Sequence, residues 1–180
     1  MNIFIMRHGT TVWNEKGITQ GRSNNRLSRN GVELTKKVAA NFANEKIDAI
    51  YVSPLMRTMQ TANIINKFHN AKVIKDERLI EIDQGIFTGR IYKSLTEEEK
   101  KIKAEVSAKA GMENYQSVAK RCKEFAQWLK EKCPHENVLV VTHNVTASIL
   151  SLVLQGIEID YNNPKHLRNF SNAEMRKIKL

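Results

Sequence analysis

Cysteine is almost missing from this chain, with Cys122 and Cys133 alone among 180 residues. They form no Cys-x-x-Cys pair and Cys122 falls in a helical pattern, so no disulfide is assumed and a reduced, cytoplasmic setting is expected. Aromatic residues are only 7%, too few for the stacking platforms of a nucleic-acid-binding surface. No run approaches the ~18 apolar residues of a membrane-spanning helix. The apolar stretch 2–6 is too short for a secretory leader, with no basic segment before it and no cleavage-like site after it. Repeats and low-complexity linkers are absent, and the three prolines and eight glycines punctuate a regular alternation. The histidines, at 8, 69, 135, 143 and 166, lack the compact spacing of a metal site. No metal and no other cofactor is therefore expected.

What is present suits an ordinary globular chain, 41% hydrophobic and 27% charged. Its length predicts a single domain over residues 1–180 with a core that needs no staples. The 29 Lys and Arg exceed the 19 Asp and Glu by ten. That excess raises phosphorylated small molecules, nucleic acid or anionic membranes as partners without choosing among them.

Three apolar, β-branched runs, 2–6, 49–53 and 138–142, have the continuous pattern of parallel strands buried on both faces. Helical spacing predicts helices over 28–43, opened by Ser28 as a cap, and over 55–68, 115–131 and 146–154. This alternation predicts an α/β fold, a three-layer sandwich around a mainly parallel sheet. The Lys/Glu-rich stretch 94–114, between Gly89 and Gly111, reads as a helical insertion or lid at about 90–114. The tail 167–180 is expected to add one or two strands.

Ionisable residues fall just after the predicted strands. Arg7 and His8 follow the first, Arg57 lies four residues beyond the second, and His143 follows the third. In an open parallel sheet that edge is where ligands bind. Two arginines and two histidines converging there would make a cationic pocket suited to phosphate, because guanidinium forks match phosphate geometry and keep their charge.

The segment Arg7-His8-Gly9-Thr10-Thr11-Val12-Trp13-Asn14 resembles the Arg-His-Gly signature of the histidine phosphatase, or phosphoglycerate mutase-like, superfamily. The resemblance continues through Gln20-Gly21-Arg22-Ser23, Leu27-Ser28-Arg29-Asn30-Gly31, the stretch from Ser53 through Arg57 to Ala62, Leu79-Ile80-Glu81-Ile82-Asp83-Gln84-Gly85, and Val140-Val141-Thr142-His143. It implies the phosphoglycerate mutase-like fold and a covalent mechanism. His8 would attack phosphorus and become a phosphohistidine, its other ring nitrogen donating to a backbone carbonyl. Arg7 and Arg57 would keep it neutral by like-charge repulsion. Arg7, Arg57 and His143 would hold the equatorial oxygens, where a loose transition state spreads its charge, with Asn14 as a neutral donor. Glu81 would protonate the leaving oxygen and then activate water. Gln20 and Gly21 would touch phosphate or leaving group. Trp13 reads as a packing residue, and Glu113 and Tyr115 as structural.

One position departs from the family. Asn144 stands where the residue after the second histidine is usually Gly. Its N–H could still meet phosphate at a helix start, but a side chain would occupy the approach.

The resemblance implies a phosphomonoester hydrolase of the phosphatase branch, metal-independent, acting on a small phosphorylated metabolite as monomer or homodimer, with no nucleic acid or membrane partner. Phosphoglycerate mutase-type transfer is the alternative, disfavoured by the short insertion after Gly85. A non-catalytic phosphate- or nucleic-acid-binding module is a more distant one.

Overall fold

Alternation along three apolar runs divides the interior in two. In β1 (Asn2–Arg7), Ile3 and Ile5 point to one side and Phe4 and Met6 to the other. β2 (Ala49–Val52) splits the same way into Ala49 and Tyr51 against Ile50 and Val52, and β4 (Asn137–Thr142) into Val138 and Val140 against Leu139 and Val141. Side chains of period two on a sheet covered on both faces produce this pattern. The computed structural model describes residues 1–105, 108–161, 167 and 169–180.

With β3 (Lys72–Lys75) and β5 (Met175–Lys179), the strands form one five-stranded sheet in the order β3-β2-β4-β1-β5. The first four are parallel to their neighbours, and β5 runs antiparallel to β1. Helices α2 (Arg29–Phe42) and α3 (Met56–Ile65) cover one face, contributing Ala39, Phe42, Ala62 and Ile65. The other face receives α5 (Tyr115–Lys132) and α6 (Asn144–Leu154), through Val118, Phe125, Leu129, Ile149 and Leu150. α1 (Val12–Glu15) is one turn with a capping box between Thr11 and Asn14, and α4 (Glu97–Ala104) opens on another between Thr96 and Glu99. Among the described residues no helix is long and apolar enough to cross a membrane.

The expected mainly parallel α/β sandwich is therefore present, and its differences from expectation lie at element ends and edges. The helix expected over 55–68 ends at Ile65 and tightens into a 3-10 turn over Asn66–Phe68. The one expected from 146 begins at Asn144. β3 was not expected: its exposed terminal lysines and two half-buried residues carry too weak a pattern. The tail supplies one strand, β5; residues 162–166 and 168, with His166 among them, lie outside the described residues. In the insertion, α4 is followed by a 3-10 turn at Ala108–Ala110, and 106–107 lie outside the described residues. The segment is not simply solvated, because Phe87, Leu95, Ala110 and Met112 form a small separate core with Ile102 against it.

The start of α2 is docked onto the chain that leaves β1. Ser28 Oγ caps Gly31 N at 3.0 Å, and Ser28 N donates to Thr10 O at 2.9 Å. A Cβ on Gly31 would fall 1.9 Å from Thr10 O, backbone that cannot yield cheaply. Gly31→Ala should destabilise the fold by about 3 kcal/mol, the upper end of overpacking costs, read as a lowered urea midpoint. Gly156→Ala, at φ +69° with nothing near its Cβ, should cost only about 1–2 kcal/mol. Equal losses at both positions would refute the docking argument.

Candidate active site

Parallel register brings the carboxyl ends of three adjacent strands level. Arg7 pairs with Thr142 across β1 and β4, and Val52 with Val141 across β2 and β4. His8, Ser53 and His143 therefore leave the sheet side by side. His8 N still donates to Thr142 O at 3.0 Å, so the ring is fixed by an extension of the ladder. Gly9 N donates to Thr61 Oγ1 at 3.0 Å, and that hydroxyl donates to Arg57 O at 2.8 Å, tying the turn to α3. A Cβ on Gly9 would meet Thr35 Oγ1 at 2.3 Å, so only glycine fits there.

The His8 ring is buried and bonded at both nitrogens. Nδ1 lies 2.7 Å from Gly9 O, and Nε2 lies 3.1 Å from Arg57 Nε. A carbonyl oxygen only accepts and a guanidinium only donates. The proton is therefore on Nδ1, and Nε2 carries a lone pair. Burial pushes the His8 pKa well below its usual value, with Arg57 and then Arg7 adding to the effect. The two arginines act in the expected direction, but desolvation leads.

Arg57, near the start of α3, is 1% exposed. Besides His8 it donates to Ser23 O at 2.6 Å and Gly21 O at 2.8 Å. Burial lowers its pKa to about 10, against the pull of Glu81, so it remains cationic at neutral pH. Arg7 donates from Nη1 to Phe170 O at 2.6 Å, and its buried Nε has no protein partner. Burial lowers its pKa too, with Glu81 and Glu174 opposing.

Glu81 stands on a loop pinned just ahead of it. Thr142 Oγ1 donates to Leu79 O at 2.6 Å and Thr146 Oγ1 to Ile80 O at 2.7 Å. Its carboxylate accepts from Ile82 N at 3.0 Å and, more loosely, from Thr146 N at 3.3 Å and Val145 N at 3.4 Å. Arg22 reaches Glu81 O at 3.2 Å and pairs with Glu113 at 3.1 Å, and Glu113 also pairs with Arg121. Glu113 thus props the loop from outside the cavity.

These groups border a cavity of about 250 Å³. Its wall contains Arg7, His8, Arg57, Glu81, Asn14, Gln20, Gly21 and Asn144, eight of the nine residues expected at the site. Asn14 Oδ1 accepts from Thr11 and Asn172, and Gln20 Oε1 accepts from Thr11 Oγ1. His143 is not on this wall. Fully buried, it packs edge-on against His8 with ring centroids 5.2 Å apart, and its Nε2 meets Ser53 Oγ at 2.7 Å. Its Nδ1 is buried without a partner, and burial, followed by Arg57 and His8, pushes its pKa well down.

The side chain of Asn144, expected to occupy the phosphate approach, is held by two hydrogen bonds at the border of the cavity. Its Oδ1 accepts from Phe170 N at 2.9 Å and its Nδ2 donates to Asn169 at 3.1 Å, tethering the group to the tail segment. The next two N–H groups of α6 face Glu81.

Thr19, Gln84, Lys103 and Val145 also border the cavity, and the sequence did not single them out. Gln84 sits inside a family-like block, beside Gly85. Lys103 is one lysine among several in the insertion, and nothing in the sequence marks it.

A parallel α/β sandwich with a buried, neutral histidine and two arginines at its strand ends defines a class, and comparison gives it a name. The model of the histidine phosphatase superfamily (branch 1) matches residues 3–180, and the chain belongs to that family. Phosphoserine phosphatase 1 of Hydrogenobacter thermophilus is 32% identical over 88% of this chain and 78% of its own. A probable phosphoglycerate mutase of Yersinia enterocolitica is 30% identical over 95% of this chain and 82% of its own. In fold, a mycobacterial glucosyl-3-phosphoglycerate phosphatase superposes with a TM-score of 0.87 at 22% identity, covering 99% of this chain and 92% of that one.

The two buried rings make stability depend on pH. Unfolding returns each to an ordinary pKa near 6.5, so below that value the unfolded chain binds protons that the folded chain refuses. Their contribution is fully present above pH 6.5 and is lost as pH falls from there toward the depressed folded values. Between pH 6.5 and 5.5 the pair should remove about 2 kcal/mol of unfolding free energy. Urea titrations should show about half of that loss disappearing in His8→Asn. An unchanged slope would contradict a neutral, buried His8.

Proposed function

We propose that this chain hydrolyses small phosphomonoesters through a covalent phosphohistidine on His8. The observation that carries the reading is the tautomer: Nδ1–H bound to Gly9 O leaves the Nε2 lone pair at the cavity wall. In the first step Nε2 attacks phosphorus and the P–O bond to the leaving group breaks. Glu81 gives its proton to the departing oxygen, which leaves as the alcohol. In the second step Glu81 takes a proton from water, the hydroxide oxygen attacks phosphorus, and the P–N bond breaks to return inorganic phosphate and neutral His8.

Arg57 links the two states. The Nε–H that engages the His8 lone pair is released when that pair bonds to phosphorus, and becomes a donor to a phosphoryl oxygen. Arg7 Nε, buried without a protein partner, is a second such donor, and Asn14, Gln20, Gly21 and Asn144 complete the phosphate and leaving-group contacts. His143, packed against His8, would offer its unpartnered Nδ1 to the phosphoryl group. The positive charge comes from arginine, so the reaction is proposed to need no metal. We read the insertion at about 90–114 as a lid of a single domain, and the two free thiols as suiting a reduced, cytoplasmic setting.

Mutase-type transfer is the second reading, favoured by the probable phosphoglycerate mutase among the relatives. Enzyme quenched during turnover of a ³²P-labelled ester should carry an acid-labile, alkali-stable label that His8→Ala lacks. A label persisting on that variant sinks the assignment, and transfer to a second hydroxyl in place of phosphate release selects the mutase. Glu81→Gln should slow alkyl phosphates by about 100-fold or more, the scale of general acid catalysis, and activated aryl phosphates far less. EDTA should leave turnover intact.

A further inference from the structure

We propose that Lys103 is a specificity residue: its ammonium receives a second anionic group, a carboxylate, carried on the leaving alcohol. This deepens the phosphatase reading and rests on it. Lys103 lies in the last turn of α4 and borders the same cavity as His8. Its partners are neutral, since Nζ donates to Gln84 Oε1 and stands 5.1 Å over the Phe87 ring. Among the described residues it makes no ion pair, although Lys100 on the same helix pairs with Glu97. A cation drawn into a cavity wall without a counter-ion loses hydration and recovers little of it from an amide oxygen and a ring face. Burial accordingly lowers its pKa to about 8. Such a group is placed where an arriving anion restores the missing charge.

The cavity's charges sort the two ends of a substrate. Arg7 and Arg57, with His8, come from β1 and α3 and match a phosphoryl dianion. Lys103 comes from the separate α4 segment and is bonded to Gln84 of the Glu81 loop, so it is the cation left over for the leaving group. At about 250 Å³ the space is below the ~300 Å³ where pockets for drug-sized ligands begin. A compact acid such as a phosphorylated hydroxy acid suits it better than a nucleotide. Gln84 would keep one Lys103 N–H oriented while the others turn to the carboxylate.

The test compares 3-phosphoglycerate with glycerol 3-phosphate, near-isosteres that differ in the carboxylate, by phosphate release. The full-length wild type should prefer the acid. Lys103→Gln should cut that preference, the ratio of the two kcat/KM values, by about 10- to 100-fold, the worth of a hydrogen bond to a charged group, chiefly through KM. Lys103→Arg should retain most of it. An equal loss on both esters in Lys103→Gln would overturn the proposal by assigning Lys103 to the phosphoryl group. A preference unchanged in Lys103→Gln, or a wild type with none, would also overturn it. Wild type that releases no phosphate from either ester or from p-nitrophenyl phosphate would defeat the phosphatase reading itself, a result distinct from those.

Discussion

The imidazole of His8 is gripped from two sides, and each grip belongs to a different stretch of chain. Gly9 O, the next carbonyl along, accepts the hydrogen bond from Nδ1–H, while Arg57, forty-nine residues away, donates to Nε2. The first grip needs a glycine turn squeezed against Thr35 and Gly31. The second needs α3 held at the end of β2, where Thr58 Oγ1 donates to Ser53 O at 2.9 Å. Arg57 in turn organises the loop at Gly21 and Ser23, whose carbonyls it satisfies. A buried guanidinium is tolerable only with such partners, because an uncompensated buried charge costs several kcal/mol. The same burial that makes Arg57 demanding keeps His8 neutral.

The start of α6 divides its work unexpectedly. Helix N-termini attract anions, and the resemblance assigned this one to phosphate. Here the N–H groups of Val145 and Thr146 face the Glu81 carboxylate, and the Asn144 side chain is bonded to residues 169–170. Only the Asn144 N–H, at the first helical position where no intrahelical acceptor exists, remains suited to phosphate. The proposed acid is therefore positioned by the helix that follows His143, and the proposed nucleophile by the strand that β4 flanks. One strand and its helix, β4 and α6, set the distance between them.

Much of the site was legible in the sequence because it depends on local pattern. β1, β2 and β4 are continuous apolar runs, and such runs in parallel strands bring the residues just beyond them to one sheet edge. That is why Arg7, His8, Arg57 and His143 are legible at one edge, whereas Glu81, Asn14, Gln20, Gly21 and Asn144 come only from the family resemblance; eight of these nine border one cavity. Orientation was less legible. His143 follows its strand as expected, and its ring packs edge-on to His8 with Nε2 on Ser53, a contact decided by packing rather than by local pattern. β3 escaped notice because an edge strand tipped with lysines has little alternation to read. Lys103 was invisible for another reason: its position depends on how the insertion folds over the Phe87 cluster, a long-range outcome that no local spacing encodes.

The surplus of ten positive charges bears on the site in two unequal ways. Arg57 is the only buried Lys or Arg among the described residues, and most of the others are exposed, several in surface pairs such as Lys36–Glu33 and Lys177–Glu45. Exposed charges act through water and are screened within about 10 Å at 0.1 M salt. They can speed the approach of an anion at low ionic strength but add little once it has arrived. Charges inside the cavity act through a medium of lower dielectric and are screened far less. The affinity of the site for an anion should therefore follow Arg7, Arg57 and Lys103, and the steering field the remaining basic surface, so added salt separates the two contributions by slowing capture more than it loosens what is held.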